Sequence, residues 1–377
     1  MSRFIQLHLL TAYPPANLNR DDQGSPKTAK MGGYDRLRVS SQCLKRTWRT
    51  SDMFQAAVAG HLGTRTKLLG LEIYNKLLAG GVKEKDAKEW TKDIAKVFGA
   101  LKKTDKSDPL AEMEIEQLVH VSPAERSALD VLTAKLIAEQ RAPEKDELNL
   151  LRVKEQAVDI ALFGRMLASS PAFNIEAACQ VAHAISVHPV VIEDDYFTAV
   201  DDLNNGQDDM GAAHIGETRF AAGLFYAYIC INRELLIKNL DGNAELANKA
   251  IRALTEAAVK VAPEGKQNSF ASRAYASFVL AEKGDQQPRS LSVAYLKPVD
   301  RSHEDYSVKA VAALLDQCFT FDSVYGECAE DRRLLSALTQ EQQKDVIEKL
   351  KKRQQEQSVE SQIAPVSLAG LLDFVGQ

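Results

Sequence analysis

The chain has 377 residues, 45% apolar and 26% charged, which excludes a disordered, collagen-like or small disulfide-scaffold protein. At roughly 150 residues per domain, that length predicts two or three modules. Forty-seven Lys and Arg against 52 Asp and Glu give a net charge of −5, which taken globally argues against a nucleic-acid binder.

Phe4 to Tyr13 sets Ile5, Leu7 and Leu9 against Gln6 and His8, the alternation of a half-buried strand that Pro14 and Pro15 end. A polar, Gly-containing loop is expected up to Gly33, then a short extended piece over Leu37 to Val39. Ser40 or Ser41 offers an N-cap to a helix running to about Ala59. Two amphipathic helices are predicted between Arg65 and Lys103, another helix is capped by Ser122-Pro123, and a further one covers Glu147 to Phe163. Residues 61–180 thus read as a helical insertion.

Strand composition returns over Ala182 to Ile192 and Phe220 to Ile231, followed by a helix over Asn243 to Val261 and a strand over Phe270 to Leu280. Strand, helix, insertion, strand, strand, helix, strand is the split βαβ order of ferredoxin-like and RNA-recognition folds, an α+β class. Gln340 to Gln362, rich in Gln, Lys and Glu, predicts a solvated helix face or a mobile tail. With no run of ~20 apolar residues and no signal-like start, a cytoplasmic protein without a membrane partner is expected.

Chemistry-bearing motifs are few. The cysteines, Cys43, Cys179, Cys230, Cys318 and Cys328, show no C-x-x-C spacing and read as reduced, packed thiols. His183 and His188 lie five apart and no H-E-x-x-H occurs, so no metal site is expected. No phosphate-cradling Gly motif or nucleophile elbow is present, and no cofactor is expected. Asp21, Asp22 and Asp35 admit a nuclease reading, because paired carboxylates hold Mg²⁺, but adjacent loop Asp residues more often make Asx turns. Asp194-Asp195, Asp201-Asp202 and Asp208-Asp209 lack Ca²⁺-loop spacing and read as solvated. Met166, after Gly164-Arg165, reads by pattern as core.

Charge is distributed unevenly. Arg20 to Arg49 holds eight basic residues against three acids, a local +5 that leaves −10 for the other 347 residues. A polyanion feels the local field, because charges beyond a Debye length are screened. Within this window Gln42, Lys45 and Arg49, at i, i+3 and i+7, share one helix face, while Leu44 and Trp48 can pack inward. Cations one turn apart beside a helix N-terminus suit a phosphodiester backbone, with Arg20 and Lys27 in the preceding loop.

Leu18-Asn19-Arg20-Asp21-Asp22, Gly32-Gly33 and Arg36-x-Arg38-x-Ser40-Ser41-Gln42-x-Leu44-Lys45-Arg46-x-x-Arg49 resemble the CasC family, guide-RNA backbone subunits of CRISPR-associated type I-E Cascade surveillance complexes. Val158 to Met166, Ala182 to Ile185, Phe197 to Leu203, His214-x-Gly216 and Gly223-x-Phe225-Tyr226 continue the likeness in order, over roughly residues 1 to 280.

The resemblance implies an RNA-recognition-like (ferredoxin-like) palm over residues 1–60, 181–192 and 220–377, with a C-terminal extension. Helical fingers over 61–180 and an extended thumb loop over 193–219 complete it. It implies an antiviral, non-catalytic subunit whose partners are CRISPR RNA, other copies of itself, other Cascade subunits and, through guide pairing, target DNA. By position, Arg20, Lys27, Ser40, Gln42, Lys45 and Arg49 would hold guide phosphates. Met166 would be an RNA contact rather than core, and Phe197, Thr198, Val200 and His214 would wedge the bases. The competing expectation is an RNA-cleaving backbone subunit, as in type III effectors, with Asp22 as its essential carboxylate.

Overall fold

The structure, a computed structural model, describes residues 2–103, 108–153, 157–199, 202, 214–300, 305–357 and 363–377. The protein is α+β and divides into two compact units. One comprises residues 1–54, 181–231 and 251–377; the other comprises 55–180 and 232–250.

A large mixed sheet organises the first unit. Across it the strands run Ile363–Pro365, Asp331–Ser336, Ala276–Gly284, Phe4–Ala16, His214–Asn232, Ala184–Ser186, Tyr34–Val39 and Thr28–Met31. Ile363–Pro365 joins Asp331–Ser336 in parallel, whereas Phe4–Ala16 meets Ala276–Gly284 antiparallel with a register shift at Leu10. One apolar layer puts Leu10, Leu224, Phe278 and Leu280 against Ala310, Leu314 and Phe319 of the helix Tyr306–Tyr325.

Several expectations change. Phe4–Ala16 runs through Pro14 and Pro15; its ladder with Ala276–Gly284 ends at Thr11, so on that edge the missing N–H groups break no ladder bond. The predicted polar loop contains a hairpin, Thr28–Met31 with Tyr34–Val39, turned by Gly32 and Gly33 at φ 62° and 84°. Two left-handed residues match the twist of a two-residue hairpin turn. The strand expected from Phe270 starts at Ala276, after a helical turn over Gln267–Phe270. Gln340–Gln357 is a helix with Val346 buried.

From Ile5 to Thr11 the strand Phe4–Ala16 is buried on both faces rather than half-buried, with Gln6 2% and His8 0% exposed. Buried polar groups persist when paired. Tyr228 donates to Gln6 Oε1 at 2.7 Å, and His8 lies 2.9 Å from both Tyr226 Oη and Glu282 Oε2. Glu282 also binds Arg289 and Arg332 (Nε at 2.8 Å), and Arg332 reaches Asp322 at 2.6 Å. Burial lowers the His8 pKa more than Glu282 raises it, so a neutral ring donates from Nε2 and accepts at Nδ1 from Tyr226. Burial would raise Glu282, yet His8 and Arg289 hold it well below the usual carboxylate range.

The second unit packs Leu69–Ala79, Glu84–Lys96 and Pro123–Glu139 around Ile73, Leu77, Trp90, Ile94, Phe98 and Leu132. Ser122 and Glu125 form a capping box with Pro123 at the first helical position. No single helix fills Glu147 to Phe163: a 3₁₀ turn over Lys145–Leu148 and a helix over Val158–Phe163 flank non-helical residues 149–153. In that stretch Arg152 N donates to the Glu125 carboxylate at 3.0 Å rather than to a helical carbonyl, and Glu125 also pairs with Arg165 at 2.7 Å, both carboxylate and guanidinium buried. Among the described residues, no helix is long and apolar enough to cross a membrane.

Candidate nucleic-acid interface

The basic window occupies one corner of the first unit, built on the helix Ser41–Arg49. Ser40 caps it, its oxygen accepting from Cys43 N at 3.3 Å. Leu44 and Trp48 are buried, as their spacing requires, whereas Gln42 and Arg46 are exposed and Lys45 and Arg49 half-buried. The helix does not reach Ala59. Thr50 Oγ1 donates to Arg46 O and Ser51 Oγ to Trp48 O, both at 2.8 Å, and a new helix starts at Asp52. Such hydroxyl-to-carbonyl bonds compete with the helical ladder and end the run. Arg46 and Arg49 therefore lie in a last turn, where the helix dipole favours cations.

Two asparagines position the preceding loop. Asn19 Oδ1 accepts Ser40 N at 2.9 Å, and its backbone oxygen accepts Lys27 N at 2.9 Å. Asn17 Nδ2 donates to Gly24 O and Arg219 O, at 2.9 and 2.7 Å. Arg219 in turn reaches Ser25 Oγ at 3.1 Å and Asp194 Oδ1 at 3.0 Å. Arg20, Lys27 and the capped helix are thereby tied to the base of the hairpin that carries the wedge candidates. Neither asparagine carries a sequence signal beyond its turn propensity.

That hairpin pairs Glu193–Ala199 with residues 214–220 in continuous register, and every side chain of its first arm is exposed. The Phe197 ring lies over Gly216, where a Cβ would come within 2.3 Å of it. Thr198 is exposed beside it, and Tyr196 and Ile215 are 66% and 58% exposed. His214 enters only as the backbone partner of Ala199. Val200 and the tip at 203–213 lie outside the described residues. Met166 belongs to the second unit and is 82% exposed, so the core reading from its sequence pattern fails.

The acids separate in role. Asp21 Oδ1 accepts Gln23 N and Ser25 N, the Asx turn its sequence context suggests. Asp22 is exposed at the rim of an open cleft of about 510 Å³ that Arg20, Arg46 and Glu264 also line. Among the described residues no group of His, Cys, Asp or Glu is arranged to hold a metal ion.

Not all of the counted charge faces solvent. Arg36 is fully buried, donating to Ser186 O at 3.0 Å and Tyr295 O at 2.8 Å. Two groups not named among the site candidates join the basic surface: Arg38 NH1 lies 3.2 Å from His183 Nδ1. Burial and then the Arg38 and Lys27 charges lower the His183 pKa. Arg38 counts in the basic window and His183 falls in a segment of the resemblance, but the sequence singles out neither as a contact.

A two-unit α+β protein with a basic, asparagine-braced helix beside an exposed hairpin defines the class. The chain belongs to the CT1975-like protein family, whose model matches residues 5–364. It is similar to a chain of a CRISPR RNA-guided surveillance complex solved in a pre-nicking state, at 26% identity over 99% of each chain with a TM-score of 0.80. A chain of a second CRISPR RNA-guided surveillance complex shares the fold, at 22% identity, 99% coverage of each chain and a TM-score of 0.73. No protein of curated function matches the sequence.

Proposed function

We propose that this chain is a non-catalytic CRISPR RNA-binding backbone subunit of a Cascade-type surveillance complex, in the role CasC fills in type I-E. The observation that carries this reading is the full-length likeness, 99% of both chains, to a subunit of an RNA-guided surveillance complex. Copies line up along the guide, beside the other subunits. Lys27, Gln42, Lys45 and Arg49 hold its phosphates, with Arg20 from the loop and Ser40 shaping the helix start. Phosphate contacts fix register without reading sequence, which suits a guide that differs every time.

The strand order Ala276–Gly284, Phe4–Ala16, His214–Asn232, Ala184–Ser186 supports a ferredoxin-like palm, fourth-first-third-second in the split βαβ pattern. Residues 61–180 serve as fingers and 193–219 as thumb. The exposed arm bearing Phe197 and Thr198, continued by Val200 and His214, wedges guide bases, and Met166 contacts RNA from the fingers. The wedge kinks the guide at regular intervals and leaves short segments free to pair with target DNA in antiviral defence. The protein works in the cytoplasm.

Complementary RNA and Mg²⁺ added to the assembled complex test the non-catalytic claim. The expected outcome is intact RNA with both the native chain and Asp22→Ala; regularly spaced cuts lost in Asp22→Ala would establish the cleaving alternative instead.

A further inference from the structure

Met166 is 82% exposed, yet both its neighbours are interior, Arg165 at 5% and Leu167 at 4%. One exposed apolar residue is ordinary on a protein surface. The anchorage beneath this one is not. Arg165 exchanges backbone hydrogen bonds with Ile175, at 3.0 and 2.9 Å, and so closes the loop 165–175 at its base. Leu167 packs into the core of the second unit, and its N–H donates to Asn174 Oδ1 at 2.6 Å.

Under the loop the Arg165 guanidinium and the Glu125 carboxylate are buried together, NH1 meeting the two oxygens at 2.9 and 2.7 Å. NH1 also donates to His120 O at 3.2 Å, and NH2 donates to Arg152 O at 3.1 Å and Phe173 O at 3.3 Å. One planar group thus joins four segments of the second unit to the residue beside Met166. A buried ion pair adds little net stability over apolar packing, because desolvation offsets its attraction. Its fork of donors does fix geometry, which a flexible lysine would not. Methionine has the opposite character: three rotatable bonds and a polarisable sulfur let it fit an irregular gap. A rigid base under an adaptable apolar tip suits a wedge, which must hold still while it parts two stacked bases.

We infer that Arg165 and Asn174, with Glu125 as the counter-ion of Arg165, are positioning residues for the RNA contact of Met166. They act through the loop backbone, holding it so that the Met166 side chain enters between two guide bases. This rests on the RNA-binding reading above and adds to it the residues that make the fingers contact rigid.

The test uses the full chain assembled with guide RNA carrying 2-aminopurine, whose fluorescence rises on unstacking, at one position at a time. Met166→Ala is expected to abolish the raised signal at a subset of positions. Arg165→Lys keeps a charge for Glu125 without the fork, and Asn174→Ala removes the acceptor of Leu167 N at an exposed side chain. Each is expected to lose the signal at those same positions while folded and bound to guide, and adding Met166→Ala to either is expected to remove nothing more. Asn174→Ala carries the test by itself should Arg165→Lys not fold. Native fluorescence in either folded variant, or losses that add to that of Met166→Ala, overturns the positioning role and leaves the contact standing. RNA bound with no Met166-dependent signal at any position overturns the contact and the positioning role, and leaves the RNA-binding role standing. A native chain that binds no RNA overturns all three.

Discussion

At the residue scale, partners decide what each ionisable group does. His8, Glu282, Arg289, Arg332 and Asp322 form one largely buried network, and removing the Glu282 carboxylate takes an acceptor from His8 and leaves two guanidinium groups to share Asp322. Glu282→Ala is expected to cost about 3–5 kcal/mol, the range for breaking a buried pair, read as a lower midpoint in denaturant melts. His8 and Glu282 both have folded-state pKa values below their ordinary ones. The unfolded chain therefore binds more protons at acid pH, and the stability they contribute is full at neutral pH. It falls as pH drops below about 6.5 for His8, and further below about 4.3 for Glu282. A melting temperature that stays flat from pH 7 to 4 would contradict this. On the basic helix face, Lys45→Ala with Arg49→Ala is expected to weaken guide binding alike for unrelated spacers and reduce the salt slope by about two. A loss that depends strongly on spacer sequence would show that these residues do not hold phosphates.

At the element scale, caps and turns fix the basic corner. Ser40→Ala removes the hydroxyl acceptor of Cys43 N and is expected to cost about 1 kcal/mol in thermal or chemical melts. The two turn glycines should respond differently. A Cβ on Gly33 meets open space, so Gly33→Ala carries only the ~1–2 kcal/mol of a left-handed residue. On Gly32 it would fall 1.7 Å from Leu296 O, so Gly32→Ala is expected to cost more; equal losses would contradict that contact.

These elements also show what the sequence makes legible. Ser40's cap, the inward Leu44 and Trp48, and the helices of the second unit follow from spacing, which is local information. The hairpin at Gly32-Gly33 was readable from its glycine pair but hidden by the polar residues around it. The helix break at Thr50-Ser51 depends on hydroxyls turning back to the chain, which propensity does not mark. Nor could alternation show that Gln6 and His8 are buried, because their partners, Glu282, Tyr226 and Tyr228, lie more than 200 residues away.

At the scale of the whole molecule, the same distance effect governs the candidate site. The +5 window marks the helix, but Asn17, Asn19 and Arg219 connect it to the hairpin only in three dimensions. Arg36 was counted as surface charge and is interior; His183 carried no charge in the count and joins the basic edge. Residues 232–250 fold into the second unit, far in sequence from the rest of it, with no local signal to announce the return. The net −5 is thus an average over a basic corner and acidic remainder, and only the distribution speaks of a polyanionic partner.

The most direct test of that partner is the nucleic acid the protein carries. Expressed with a guide RNA and purified at physiological salt, the chain is expected to elute as a series of RNA-bearing oligomers, with ultraviolet absorbance dominated by nucleic acid. An RNA-free monomer with the absorbance of protein alone would contradict the account.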